Sequence, residues 1–300
     1  MVYNWENMWK CSNDEHTTGR VKYRGMVVSD LDGTLLRSDG TMNEKDMAAL
    51  EKLGQDGFVR VIATGRSLFS LGKVLPQRFP ADYIVFSTGA GISAYPSNRL
   101  LTSVRLQPAE VRTAVHILQD LQLDFSIQEP VPHNHRFQYW ISGRANPDFA
   151  RRLELYQNFC KPLPSALEGL GPAAQLIAIL PADEDAITFS IVRERLPQLT
   201  VVRATSPLDH QSIWTEIFPS KAGKGKAVAW LAARMGIDSE NILAIGNDFN
   251  DVDLLDLAGT KFMVDNAPPE LKILYPTVAA NNRAGVAEAI NKWLESPQDY

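Results

Sequence analysis

The chain has 300 residues, more than one hydrophobic core usually serves, so two domains or one domain with a large insertion are expected. Its 45% hydrophobic content, 22% charged content and formal net charge of −5 suit a globular protein in water and speak against a nucleic-acid partner. No apolar run nears the roughly 20 residues that span a bilayer, no charged n-region leads into an apolar h-region, and Cys11 and Cys160 stand far apart without metal spacing, so a cytoplasmic, reducing setting with no membrane partner is expected.

Residues 1–22 are polar and mixed, carry Trp5 and Trp9 without a period, and read as an extension of no assigned order whose tryptophans dock on the body of the protein ahead of a partner. From Gly25 the pattern becomes regular. "GMVVSD" reads as a buried strand, and "TMNEKDMAALEKLGQDG" as a helix with Thr41 and Glu44 in a capping box. "FVRVIATGR" is a strand ending at Thr64, "LFSLGKVL" a helix, and "YIVFSTGAGI" a strand and turn. This alternation implies βαβ units and a parallel sheet covered on both faces.

Near Ser103 the rhythm changes. "QPAEVRTAVHILQDLQL", "NPDFARRLELYQNFC" and "DEDAITFSIVRERL" read as helices, the second placing Cys160 as a small buried hydrophobe. Between them "DFSIQ", "FQYWISG", "AAQLIAIL", "LTVVRAT" and "SIWTEIF" read as strands, with Phe137, Tyr139 and Trp140 in the core or on the sheet surface. After Pro219 the parallel rhythm returns: helix "GKGKAVAWLAARMG" closed by Gly236, strand "NILAIGN", helix "NDVDLLDLAG", strand "KFMVDN", short helix "PPELKIL" and helix "GVAEAINKWLE". The expected architecture is α/β: a Rossmann-like, doubly wound parallel core over 23–104 and 216–300, with an α+β cap domain over 105–215.

Ligands of parallel sheets bind beyond the carboxyl ends of the strands. Four polar clusters fall on that side: "DLDGT" after the first strand, "TGR" (Thr64–Arg66) after the second, "KGK" (Lys224–Lys226) at a helix start, and "GNDFND" (Gly246–Asp251) after a late strand. Together they suit phosphoryl transfer. Asp30 and Asp32 share a side if the strand continues. One carboxylate can attack phosphorus, and the other can protonate the leaving oxygen and then activate water. Close carboxylates repel, and Mg2+, which prefers oxygen ligands and phosphate, relieves that repulsion. Asp251 and Asn250, with Asn247 or Asp248, supply oxygen ligands opposite. Thr64 can donate to a phosphate oxygen, Lys224 can neutralise its charge, and Gly33 and Gly65 let backbone N–H groups approach.

"DLDGTLL", "TGR", a Lys-Gly pair and "GNDFND" in this order resemble the haloacid dehalogenase superfamily of phosphatases, and the position of the insertion resembles its Cof-like subgroup. The likeness spans Met26 to about Leu294. It implies Asp30 as nucleophile, Asp32 as general acid and base, Thr64 and Lys224 as phosphate ligands, and Mg2+ held by Asp30, Asp32, Asp251 and either Asn247 or Asp248. "TGAGI" resembles the family's "NGA" turn with Thr88 where Asn is common, and Asn247 stands where the family usually has Asp.

Plainer readings compete. Asp-Gly is a common turn, Thr64 is a helix-cap residue type, and lysine clusters such as Lys221, Lys224 and Lys226 are usually solvated. Asp253 and Asp256 read as solvent-facing, and Arg66 as either an ion-pair partner or a substrate contact. In the loop "PHNHRF", His133, His135 and Arg136 read as substrate-facing ahead of a zinc site, which wants further ligands. The expected activity is Mg2+-dependent hydrolysis of a small phosphorylated metabolite such as a sugar phosphate. The alternatives are a phosphomutase or phosphotransferase on the same site, a receiver-type switch, and a phosphate-binding protein weakened by Asn247.

Overall fold

Short apolar runs, buried on both sides, build most of the strands. The computed structural model describes residues 23–76, 78–180 and 186–295. The expectations for residues 1–22, including Cys11, Trp5 and Trp9, and for the start of the helix at 183–196, lie outside these residues. The elements begin with β1 (Met26–Ser29), α1 (Glu44–Gln55), β2 (Val59–Ala63), α2 (Leu68–Leu71), β3 (Tyr83–Phe86), β4 (Gly91–Ala94) and β5 (Leu100–Ser103). There follow α3 (Pro108–Asp120), β6 (Asp124–Gln128), β7 (Phe137–Trp140), α4 (Pro147–Leu155), β8 (Cys160–Pro162), β9 (Gln175–Leu180), α5 (Ala186–Arg195), β10 (Leu199–Thr205) and β11 (Ile213–Pro219). The chain continues with α6 (Lys224–Met235), β12 (Ile242–Gly246), α7 (Val252–Leu257), β13 (Thr260–Val264), α8 (Pro269–Lys272), β14 (Thr277–Val278) and α9 (Gly285–Glu295).

The chain divides into two units. The first comprises the described residues of 23–66, 72–103 and 223–295, and the second Ser67–Leu71 and Val104–Ala222. The second segment of the first unit's core starts later than the expected 216 because β11 runs to Pro219 as a strand of the other sheet.

In the first unit eight strands form one sheet in the order β14-β13-β12-β1-β2-β3-β4-β5. The run from β14 to β3 is parallel, and β4 and β5 add an antiparallel extension. One face packs Met26, Val28, Val61 and Ala244 against Val228 and Leu231 of α6 and Leu254 of α7. On the other face α1 packs on β2, and α9 on α1, β12 and β13. From β1 the chain goes to one side for β2 and later to the other for β12, so the strand order reverses between β1 and β12. That reversal opens a crevice at the strands' carboxyl ends.

In the second unit six strands run β10-β11-β9-β6-β7-β8, antiparallel except for β7 with β8. Helices α3 and α5 cover one face around Val111, Leu118, Phe125, Leu176 and Ile217. On the other face Phe149 of α4 meets Ile177, Ile179 and Trp214, with Tyr139 packed alongside. Trp140 stacks on Phe125 at 5.7 Å, and Phe137 is buried.

Several local expectations change. Helix α1 is capped by Asn43, whose Oδ1 accepts from Lys45 N at 3.0 Å. Thr41 does not make the expected capping box with Glu44, because its N–H and hydroxyl are both donated to Asp39 Oδ1 in a tight turn. Cys160 stands in β8, half-buried, since α4 ends at Leu155. Helix α2 is one turn, and "NDVDLLDLAG" starts with a 3-10 turn, Phe249–Asp251, before α7.

Asp46 of α1 is fully buried. Its Oδ1 accepts from Ala287 N of α9 at 2.7 Å, while Oδ2 has no partner among the described residues. Burial pushes its pKa from 3.8 up to about 6, against the pull of the Ala287 bond. A carboxyl with a raised folded pKa adds stability below its unfolded pKa and loses it as pH rises through the folded one. Asp46→Asn is therefore expected to raise stability at pH 8 by about 1–3 kcal/mol and to match the parent near pH 4. Urea denaturation at both pH values checks this; a destabilised variant at pH 8 contradicts it.

Candidate active site

β1 stops at Ser29, so Asp30 and Asp32 sit in the loop beyond it rather than on a continuing strand. Asp30 N still donates to Ile245 O of β12 at 2.9 Å, which fixes the loop to the neighbouring strand. Leu31 and Leu35 are fully buried and anchor a turn in which Leu35 N and Leu36 N both donate to Leu31 O. Apolar anchors between the polar residues thus present the aspartates at the crevice.

The centre of the site is an acid–ammonium–acid cluster. Lys224 Nζ, at the start of α6, donates to Asp30 Oδ1 at 2.7 Å and to Asp251 Oδ1 at 2.6 Å. Lys224 and Asp251 are both 0% exposed and Asp30 4%. Burial alone lowers the Lys224 pKa, but the charges of Asp251 and Asp30 outweigh it and hold the ammonium well above its ordinary value. Burial first, then the charge of Asp251, raises Asp30 well above the usual carboxylate range against the pull of Lys224. Two carboxylates share one ammonium in a buried place, where ionised groups are costly.

The late turn is built around Asp251. Its Oδ2 accepts from Asn247 N at 2.9 Å and Asp248 N at 3.1 Å. The alternatives Asn247 and Asp248 point to different partners. Asn247 Oδ1 accepts from Thr34 Oγ1 at 3.2 Å, and its amide lies so close to Gly33 (φ +78°) that a Cβ there would stand 2.5 Å from Nδ2. Asp248 caps the 3-10 turn, accepting from Phe249 N at 2.8 Å.

Asp32 is clasped by Arg66, with Nε to Oδ2 at 2.7 Å and Nη2 to Oδ1 at 2.6 Å. Of the two readings for Arg66, the structure gives the ion pair. The carboxylates of Asp32 and Asp248, both expected as metal ligands, are thus engaged outside the Lys224 cluster. Thr64 is buried, its Oγ1 accepts from Arg66 N at 3.0 Å, and its O–H has no acceptor among the described residues. Asn250 is half-buried beside Gly65.

Asp253 is exposed, as expected of a solvent-facing residue, and also makes a helix contact. Its Oδ2 accepts from Gly225 N at 2.9 Å, capping the helix that carries Lys224. The signal was present: the N-cap of α6 is Gly223, which has no side chain to supply a cap, so another segment must.

His133, His135 and Arg136 belong to the second unit. His133 and Arg136 are exposed, on a turn closed by Arg136 N donating to His133 O at 2.8 Å. His135 is half-buried, stacked on Phe69 at 4.4 Å and edge-on to Phe159 at 5.1 Å.

Among the described residues no three His, Cys, Asp or Glu side chains form a ready metal-binding group. The oxygen donors of Asp30 and Asp251 and the carbonyl oxygen of Asn247 nevertheless suit a hard cation that takes its remaining ligands from water and phosphate. No described helix is long and apolar enough to cross a membrane.

A family model described as haloacid dehalogenase-like hydrolase matches residues 27–290. An HMP-PP phosphatase of Cronobacter sakazakii is 29% identical over 279 residues, 90% of this chain and 96% of its own. A 5-amino-6-(5-phospho-D-ribitylamino)uracil phosphatase of Bacillus subtilis is 24% identical over 284 residues, 89% of this chain and 97% of its own. Among solved structures, a phosphatase of the superfamily from Bacteroides thetaiotaomicron matches with a TM-score of 0.72 at 18% identity, covering 94% of this chain and 99% of that one. A subclass IIB sugar phosphatase matches with a TM-score of 0.71 at 16% identity, covering 90% and 98%. The solved structures bear on the fold alone; with the family model spanning every motif from the first strand to the last helix, the chain belongs to the haloacid dehalogenase-like hydrolases, among their Cof-like phosphatases.

Proposed function

We propose that this chain is a Mg2+-dependent phosphatase that hydrolyses a small phosphomonoester through an aspartyl-phosphate on Asp30. The observation that carries the reading is the buried cluster in which Lys224 bridges Asp30 and Asp251 at the strand-order reversal.

Lys224 holds Asp30 by one oxygen and keeps positive charge beside it, which positions the carboxylate and favours its ionised form against burial. An Asp30 oxygen attacks phosphorus, the bond from phosphorus to the leaving oxygen breaks, and Asp32 gives that oxygen its proton. Asp32 then takes a proton from water as the water oxygen attacks phosphorus; the bond to Asp30 breaks and inorganic phosphate leaves. Arg66 orients the Asp32 carboxylate for both transfers. Thr64 donates its unpaired O–H to a phosphoryl oxygen, and the Gly65 backbone lets the phosphate come close. Asp30, Asp251 and Asn247 would hold Mg2+, which when bound would supply positive charge beside the phosphoryl oxygens and the two carboxylates.

The relatives' names include a ribitylaminouracil phosphatase and a sugar phosphatase, which supports a small phosphorylated metabolite as substrate and favours no single one. A panel of phosphomonoesters tests the reading. Phosphate release with Mg2+, its loss on adding EDTA and its return with excess Mg2+ are expected. Release that survives chelation contradicts the metal, and no release from any ester contradicts the activity.

A further inference from the structure

Three asparagines from beyond β13 hold the loop that follows β1. Asn266, two residues past β13, donates from Nδ2 to Gly33 O at 2.8 Å. Asn281, at the start of the 3-10 turn Asn281–Arg283, donates from Nδ2 to Leu36 O at 2.9 Å. Asn282 accepts at Oδ1 from Ser38 N at 3.1 Å and donates from Nδ2 to Ser38 Oγ at 3.0 Å. The three are not independent. Asn281 N donates to Asn266 Oδ1 at 2.9 Å, which fixes the ends of the Asn266 carboxamide: its oxygen faces Asn281 and its N–H2 faces Gly33. A carboxylate of the same shape lacks the donor for Gly33 O.

The Asn266 bond falls on the peptide next to the acid–base carboxylate. Gly33 directly follows Asp32, its backbone is left-handed (φ 78°), and the Asn247 carboxamide lies against it. Arg66 holds the tip of Asp32 by its carboxylate oxygens, and Asn266 holds its base through Gly33 O. Asn281 is buried, whereas Asn266 is exposed. Substituting an exposed residue seldom costs much stability, so the Asn266 bond can be removed from a folded chain.

We propose that Asn266 is a positioning residue for the proton transfer: its carboxamide, oriented by Asn281, sets the Asp32–Gly33 peptide and thereby aims the Asp32 carboxyl at the leaving oxygen. This rests on the phosphatase reading of the same site, in which Asp32 protonates that oxygen.

The leaving group separates aiming from mere structure. Phenyl phosphate and p-nitrophenyl phosphate are similar in shape, but the phenol oxygen is the more basic and needs the proton as it leaves, whereas p-nitrophenolate leaves without it. Comparing kcat/KM for the two esters reads the first transfer. Asn266→Ala removes both bonds, and Asn266→Asp keeps the acceptor for Asn281 N and loses the donor. Both are expected to lower kcat/KM for phenyl phosphate about tenfold and to leave that for p-nitrophenyl phosphate within about threefold, with Asp32→Asn showing the same bias more strongly. The charge added in Asn266→Asp acts on both esters alike and leaves their ratio unchanged. Melting temperatures close to the parent's are expected. An equal loss on both esters, or no loss, overturns the proposal, and so does an Asn266→Asp that keeps the parent's ratio. Failure of both variants to fold makes the role structural and overturns it too. A parent that releases phosphate from neither ester sinks the phosphatase reading and this proposal with it, whereas an active parent whose Asn266 variants show no bias sinks this proposal alone.

Discussion

Asp30→Asn is expected to lower kcat toward p-nitrophenyl phosphate by about four orders of magnitude or more, because removing the nucleophile of a covalent mechanism leaves only what binding and charge stabilisation contribute. The amide keeps the shape of the side chain and can still accept from Lys224 Nζ, which stands 2.7 Å from Asp30 Oδ1. Folding is therefore expected to survive, since the amide removes a buried acid whose ionisation burial and the charge of Asp251 oppose. Steady-state kinetics beside a thermal melt check both halves. A variant that keeps more than about a tenth of the parent's kcat argues against Asp30 as nucleophile.

Lys224→Met is expected to have the largest effect on stability. The ammonium is fully buried and bonds two buried carboxylates, and its loss leaves both without their shared counter-charge. Breaking a buried ion pair from one side costs about 3–5 kcal/mol. The deficit is expected to narrow toward acid pH. Without Lys224 the folded pKa of Asp30 rises further, and a raised carboxyl pKa means stability that is present at low pH and lost as pH rises. Urea denaturation of parent and variant across pH 5–8 measures this, and turnover is expected to vanish in the variant. A stability within about 1 kcal/mol of the parent at pH 8 contradicts the burial and pairing described.

Much of the first unit was legible because its signals are local. The helix read from "GVAEAINKWLE" is α9 to the residue, and Gly236 closes α6 in a left-handed conformation (φ 69°) as a terminal glycine should. Continuous apolar runs gave the parallel strands, and the rule that ligands meet a parallel sheet at its carboxyl ends put Asp30, Lys224 and Asp251, which the fold joins, on one edge.

What was not legible depends on distant partners. β4 and β5 are short and mixed, and they become strands by pairing with β3 and each other. β8 is three residues paired in parallel with β7, a contact that gives Cys160 no local signal. Phe69 reads as part of a helix, yet its ring packs on His135 and Phe159. Arg66 meets Asp32 across 34 positions and Asp253 caps Gly225 across 28, which no spacing rule anticipates. Ser87 and Thr88, both at φ 50°, show nothing in their residue types that foretells left-handed backbone. Asn247 likewise bonds the Thr34 hydroxyl, more than 200 residues away, a partner no local pattern announces.

The most direct test is to stop turnover with acid within milliseconds of mixing enzyme and substrate and to map phosphoryl groups by peptide mass spectrometry. One phosphoryl group on Asp30, within the peptide Met26–Leu36, that appears and decays at rates compatible with kcat is the expected result. Full turnover with that peptide unmodified at every time, or with the group carried on another residue, would contradict the mechanism.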